Sequence, residues 1–386
     1  MQRRFFLLAA CLTLILAGCG GSGKADERDT GSSSMPTAET VQPTVIRIAT
    51  SADTAADPSP TATTGPSPTA TRLPSATATP EEPLLPVTTT IPVGSVPASM
   101  AWGAGAIWVG NGEDGTISRI DPATNTVVAT IEMHANQWTL DQALNTCCPN
   151  LSLAGNDQQI WAGVHRGTPA TITDTVEQID PATNQVVRTI DLPSQPEFML
   201  LDGDTLWITS GHSDQALRVD IPSGTVVATF EIKTAGAMAV ADGAAWISGG
   251  FPDGSGGALY RIDPQTNTIA ATIDLPLGGW PFALNDELWL VEYYGNGIHR
   301  IDMATNTIAE STHVSGVLGG FPGAGSIWVN MLKDANFPGI MARIDPDTME
   351  ITARYDAGGY AGWMLFAEDA VWITELQDGL VQRIDP

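Results

Sequence analysis

The chain has 386 residues, 43 of them acidic and 17 basic, for a formal net charge of -26. Such a charge repels phosphate backbones, which argues against nucleic acid as a partner. It favours solubility and attracts cations, and says nothing about fold. The first part is polar and rich in Pro, Thr, Ser and Ala, whereas everything after about Val87 is rich in Gly, Ile, Val and Trp. That contrast predicts a tail followed by one large domain.

Residues 1–18 read as an export signal: Arg3 and Arg4, then an apolar run from Phe5 to Leu16 too short to span a bilayer permanently, then small residues. The ending Leu16-Ala17-Gly18-Cys19 resembles the bacterial lipobox. That resemblance implies cleavage before Cys19, lipidation of its sulfur and anchoring to the extracytoplasmic face of a bacterial membrane. Each buried methylene adds about 0.8 kcal/mol, so several acyl chains on one cysteine hold firmly without a membrane span. Residues 19–85, with "PSPTATTGPSPTATRLPSATATPEEP" as the clearest stretch, have too few large apolar residues to offset ordering and predict a disordered tether.

From residue 86 one unit recurs: an apolar strand, a Gly/Asp/Asn turn, a strand centred on Trp, a variable loop, "RIDP", a turn, then a strand of the "TVVATI" type. Trp108, Trp161, Trp207, Trp246, Trp289, Trp328 and Trp372 mark the second strand at intervals of 39 to 53 residues. Asp121, Asp180, Asp220, Asp263, Asp302, Asp345 and Asp385 mark the third in the same rhythm. Four short strands per roughly forty residues, seven times over, predict an all-β seven-bladed β-propeller across residues 86–386. The first blade is placed at Ser99–Gly103, Ile107–Asn111, Thr116–Ile120 and Thr126–Ile131. The seventh "RIDP" ends at Pro386 with no fourth strand after it, while "PVTTTIPVGSVP" behind the tether resembles one. Val87–Ile91 is therefore predicted to pair with Gly379–Ile384 and close the ring.

Most conspicuous residues are scaffold on this reading. Asp-Pro suits a turn in which Asp accepts N–H bonds and Pro fixes φ, the Asn of "ATN" suits the left-handed position, and the repeated tryptophans fill the space between blades. Function is expected where the repeats differ, on the face carrying the loops between second and third strands and between blades. Trp138, Arg166, Trp280, Tyr293, Tyr294, Phe337, Tyr360 and Trp363 are placed on that face as ligand-binding candidates. His134, His165 and His212 fall in loops of neighbouring blades near Glu113, Asp114, Arg166 and Asp214; as a cluster they suit a divalent metal or acid–base work, and separately they decorate polar loops. No other cofactor is expected. Cys147 and Cys148 are adjacent, which admits a vicinal disulfide stapling a turn, free or metal-binding thiols, or a cofactor platform.

"IDPATNTVVATI" resembles the YVTN or YncE-like propeller repeat, and "LWLVE" and "VWITE" resemble repeats of the streptogramin lyase (virginiamycin B lyase) family. The resemblance implies a seven-bladed propeller and, for the second family, catalytic His and Glu residues near a Pro-His step that starts an innermost strand. The residues after the corresponding prolines here are Ala98, Asn150, Glu197, Phe282 and Gly323, none of them His. Glu197 is thus a weak catalytic candidate, together with His134, His165 and His212, and Glu292 and Glu375 match the glutamate that ends the family's Trp-bearing strand. The expectation is a monomeric binding or scaffolding module for a small molecule, peptide or envelope protein. The alternative is a lyase-like or hydrolytic enzyme on the same face.

Overall fold

The computed structural model describes residues 84–145, 150–168, 171–250, 256–293, 295, 297–334 and 337–386. Cys19 and Cys147–Cys148, with the lipidation and disulfide expected of them, lie outside these residues. So do Tyr294 and the side chain of Phe337.

The described strands form seven antiparallel sheets, one per repeat. Blade 1 comprises Pro97–Gly103, Ala106–Asn111, Thr116–Asp121 and Thr126–Glu132, each strand paired with the next in the chain. Blades 2 to 6 repeat this order. In blade 7 the outermost strand is Thr89–Pro92, which pairs antiparallel with Leu380–Ile384: Thr89 faces Arg383 and Pro92 faces Leu380. Ring closure thus occurs where the repeat count places it, but the closing strand begins two residues later than predicted. Leu85–Pro86 runs parallel instead to Tyr355–Asp356 and adds a fifth strand to blade 6. Between these two pieces Val87 packs into the apolar cluster shared by blades 6 and 7, and the Thr88 amide donates to the Arg383 carbonyl at 2.8 Å.

The core lies between the blades. Seven apolar clusters each draw on two neighbouring sheets, and each contains one of the seven repeat tryptophans. All seven are at most 3% exposed. Where their indole N–H finds a backbone partner it is a carbonyl five residues earlier, as in Trp108 to Gly103 and Trp372 to Ala367. Burial on this scale, on the order of 200 Å² per ring, makes these tryptophans packing residues.

Two further sets of ties link neighbouring blades. Near the axis, hydroxyls of Ser99, Ser152 and Thr209 donate to Leu151, Pro196 and Gly236 of the next blade, and the Ser248 hydroxyl accepts from Gly279. On the opposite face, the arginine of the repeat lies over its own blade's tryptophan in five blades and in four of them reaches the next blade's turn, Arg343 bonding instead to Ser326 and Ala324 of its own blade. Arg119, 5.0 Å from the Trp108 ring, donates to the Pro181 carbonyl and Asn184 Oδ1. Arg218 and Arg261 do the same to Pro264 and Asn267 and to Met303 and Asn306. Arg383, 5.2 Å from Trp372, crosses the closure to the Pro122 carbonyl at 2.8 Å and Asn125 Oδ1 at 3.0 Å.

The exceptions have local causes. Blade 2 has Gln178 in place of the arginine, and Arg188 of its outermost strand donates to the Pro222 carbonyl. The turn facing Arg300 carries Met349 where four others carry Asn, and Arg300 pairs with Glu287 and Glu310. The turn chemistry matches the reading of "DPATN": Asn125, Asn184, Asn267 and Asn306 all have φ of 53° to 57°. The aspartate of the turn accepts the amide two residues on, as Asp121 does from Ala123. Donation from the amides of Ala182, Gln265, Thr305 and Thr348 holds Asp180, Asp263, Asp302 and Asp345 below the usual carboxylate range, and the Ser223 hydroxyl does so for Asp220.

The outermost strands of blades 1 to 6 each carry a bulge opposite this arginine position. A bulge twists an edge and blunts its capacity to pair with another chain. Among the described residues no helix is long and apolar enough to cross a membrane.

The closure gives a direct test. Replacing Arg383 with Ala removes the two hydrogen bonds across the closure, the exposed pair with Asp385 and a cation–π contact, for a loss of about 1–3 kcal/mol, or about 2–4 °C of melting temperature per kcal/mol. Deleting residues 86–92 should cost considerably more, and Arg300→Ala less than Arg383→Ala. Calorimetry checks the order; a deletion variant that melts like the parent refutes the closure.

Candidate functional site

The innermost strands line the central axis, and three of them bring aromatic rings together there. Phe198 of blade 3, Trp280 of blade 5 and Trp363 of blade 7 have ring centroids 5.5 to 5.7 Å apart. Phe198 stacks on Trp363 with planes 30° apart, and both meet Trp280, at 78° and 81°. Tyr293, at the end of the second strand of blade 5, meets Trp280 edge-on at 5.5 Å, and its hydroxyl accepts the Ala237 amide at 3.0 Å. Rings at these distances touch, so the group is a plug rather than an open cage. The plug is tightly seated: a Cβ at Gly319 would come within 2.7 Å of Trp280 Nε1.

Beside Phe198 lies Glu197, fully buried. Its carboxylate accepts the Gly211 amide at 2.8 Å, the His212 amide at 3.1 Å and His212 Nδ1 at 2.5 Å. The loop carrying His212 is a short 3-10 turn, Gly211–Ser213, that continues the second strand of blade 3. The His212 side chain is 44% exposed, against 0% for Glu197. The hydrogen bond from Glu197 raises the His212 pKa above its ordinary value, against the opposing effect of partial burial. The pair therefore presents an oriented imidazole with a strengthened preference for positive charge, a proton donor or anion partner in a strongly acidic protein.

The three candidate histidines do not share a site. His165 pairs with Asp174 across two strands of blade 2 at 2.6 Å, His212 belongs to Glu197, and His134 is exposed at a left-handed φ of 52°. Among the described residues no group of three or more His, Cys, Asp or Glu is placed to hold a metal ion.

The aromatic candidates divide into two groups. Trp280, Tyr293 and Trp363 reach the axis. Trp138 does not: it is 6% exposed and packs with Val96, Ala98 and Leu376, with Tyr360 against the same cluster, over the seam of blades 7 and 1. The insertion that carries it is stitched down by its own amide to Gly112 O, by Asn136 to the backbone of His165 and Gly167, and by Arg166 to Met133 O. Arg166 is also committed to Glu177 at 2.6 Å. Glu375 accepts amides of Tyr360 and Asp378, so in blade 7 the strand-ending glutamate caps a loop. Phe198 was not among the sequence candidates, which were drawn from expected loops; Trp280 and Trp363, expected in loops, lie like Phe198 inside innermost strands. The signal of Phe198 was an aromatic directly after the Pro-Glu step.

No family model and no curated protein matches the chain. Solved structures of like fold include the β-propeller domain of Cps50 (Swd1) from Myceliophteria thermophila, 13% identical with a TM-score of 0.59 over 77% of this chain and 98% of that one. BamB from Moraxella catarrhalis is 14% identical with a TM-score of 0.54 over 78% and 99%. At these identities the likeness is one of fold, and the chain is a seven-bladed β-propeller.

The carboxylate-bound imidazole is open to titration. His212 is expected to titrate above 6.5 by NMR and to fall back toward that value in Glu197→Gln. A raised histidine pKa stabilises the fold fully below the unfolded value and loses that contribution as pH rises through the folded one; an unshifted His212 resonance in the parent defeats the account.

Proposed function

We propose that this protein is a lipoprotein tethered outside the cytoplasm, whose propeller binds or scaffolds a small molecule, peptide or neighbouring envelope protein. The binding surface is the face around the channel mouth. The observation that carries this is the plug of Phe198, Trp280 and Trp363 beside the Glu197–His212 pair, which gives a closed, aromatic floor with one oriented polar group. Aromatic surface with few placed polar groups is what small-ligand and peptide sites use. Anchoring rests on the Leu16–Cys19 motif.

Two measurements test it on the full-length protein in cells. A photo-crosslinking residue at position 212 should give discrete adducts that one at position 265, in a turn of the opposite face, does not. Incorporation of an alkynyl fatty acid should be lost in Cys19→Ser. Equal crosslinking from both positions defeats the site, and undiminished labelling of Cys19→Ser defeats the anchor.

The Glu197–His212 pair favours one second reading, a lyase-like or hydrolytic activity in which His212 moves a proton and Glu197 positions it. Incubation with a cyclic depsipeptide should then open the ring, at least tenfold more slowly in Glu197→Gln. A ring left intact by the parent ends this reading.

A further inference from the structure

Blade 5 departs from the repeat in a way that neither the plug nor the closure uses. The residue preceding the "RID" arginine is Ser118, Glu177, Leu217, Tyr260, Ala342 or Gln382 in six blades and His299 in blade 5. Its cross-strand partner on the outermost strand is Thr130, Thr189, Thr229, Thr272, Arg354 or Thr90 in the six, and Ser311 in blade 5. His299 Nδ1 lies 2.8 Å from Ser311 Oγ, and His299 Nε2 lies 3.1 Å from Glu292 Oε1. Glu292 Oε2 accepts the Gly297 amide at 2.9 Å. His299 and Glu292 are 6% and 9% exposed at their side chains, whereas Ser311 is exposed. The loop is fitted to them: a Cβ at Gly295 would overlap the Glu292 carboxylate, and one at Gly297 would meet it and come within 2.7 Å of His299 Nε2.

This is a hydroxyl, an imidazole and a carboxylate in series. With the carboxylate at Nε2, the proton of neutral His299 sits on that nitrogen, and Nδ1 is left to accept from Ser311. Those are the roles of nucleophile, base and orienting group. Serine in place of the repeat's threonine gives a primary hydroxyl without the flanking methyl. The strand is the edge of its sheet, which leaves the hydroxyl open to an approaching substrate.

We propose that Ser311, His299 and Glu292 form an acyl-transfer site for small esters at the outer edge of blade 5, on the side of the loop between its second and third strands and separate from the plug at the axis. Ser311 Oγ bonds to the ester carbonyl carbon as its proton passes to His299 Nδ1. The carbon–alkoxy bond then breaks, and the leaving oxygen takes that proton. Water repeats the sequence on the acyl-serine, releasing the acid and restoring the hydroxyl. Glu292 is a positioning residue that holds the imidazole and balances its transient charge.

The test is a fluorophosphonate probe on the full-length protein, with adducts located by mass spectrometry, alongside hydrolysis of p-nitrophenyl acetate. One adduct is expected, on Ser311, and none in Ser311→Ala, which keeps its fold because it loses a single hydrogen bond at an exposed edge. His299→Gln should label at least tenfold more slowly. Glu292→Gln should lower kcat, counted per folded molecule, at least tenfold with KM unchanged, and Glu292→Asp should recover part of it, a rescue that loss of packing alone would not produce. No adduct on the parent, an adduct elsewhere, or parent-like labelling of Ser311→Ala overturns the proposal. Should any buried variant fail to fold, Ser311→Ala alone decides.

Discussion

The structure depends on joining the two ends of a ring. Closing a loop of nearly three hundred residues costs about 5 kcal/mol by the logarithmic scaling of loop entropy. The seam has to offset that with a four-residue strand. It does so by combining contacts of different kinds: Ile91 buried to 2% between blades 7 and 1, the ladder to Leu380–Ile384, and the Arg383 fork on the Pro122–Asn125 turn. The same fork occurs at three interior interfaces. The closure is therefore an ordinary interface whose two sides come from opposite ends of the chain, and long-range contact of this sort is expected to form late in folding.

The repeat unit was legible because its signals are local. Apolar alternation, Asp-Pro and the left-handed Asn each act over a few residues, and seven phased copies leave little choice of fold. The closing strand was legible as a strand missing from a count. Its two-residue offset was not, since it depends on Val87 finding a pocket between blades 6 and 7. The arginine fork was also hidden: the letter repeats in the sequence, but its partners lie one blade away.

At the axis the limit is of another kind. Trp280, Tyr293 and Trp363 could be singled out as aromatics outside the repeat, yet their convergence with Phe198 joins blades 3, 5 and 7, a relation with no sequence spacing. The same holds in reverse for the histidines. His165 and His212 stand in corresponding regions of adjacent blades, but each is captured by a carboxylate nearer to it, Asp174 across a strand pair and Glu197 below the loop. Nearest-partner electrostatics prevailed over a shared site. Trp138 shows the analogous effect for apolar surface, since a long insertion needs its own small core and this ring supplies it.

The fifth strand on blade 6 has a mechanical meaning. Any tension entering the domain through residue 84 meets Leu85–Pro86 first, where the chain lies alongside Tyr355–Asp356. Only after that pair yields does the load reach Thr89–Pro92 and the seam of the ring. The two pairings stand in series, so the short parallel strand acts as a strain relief for the joint on which the propeller's closure rests.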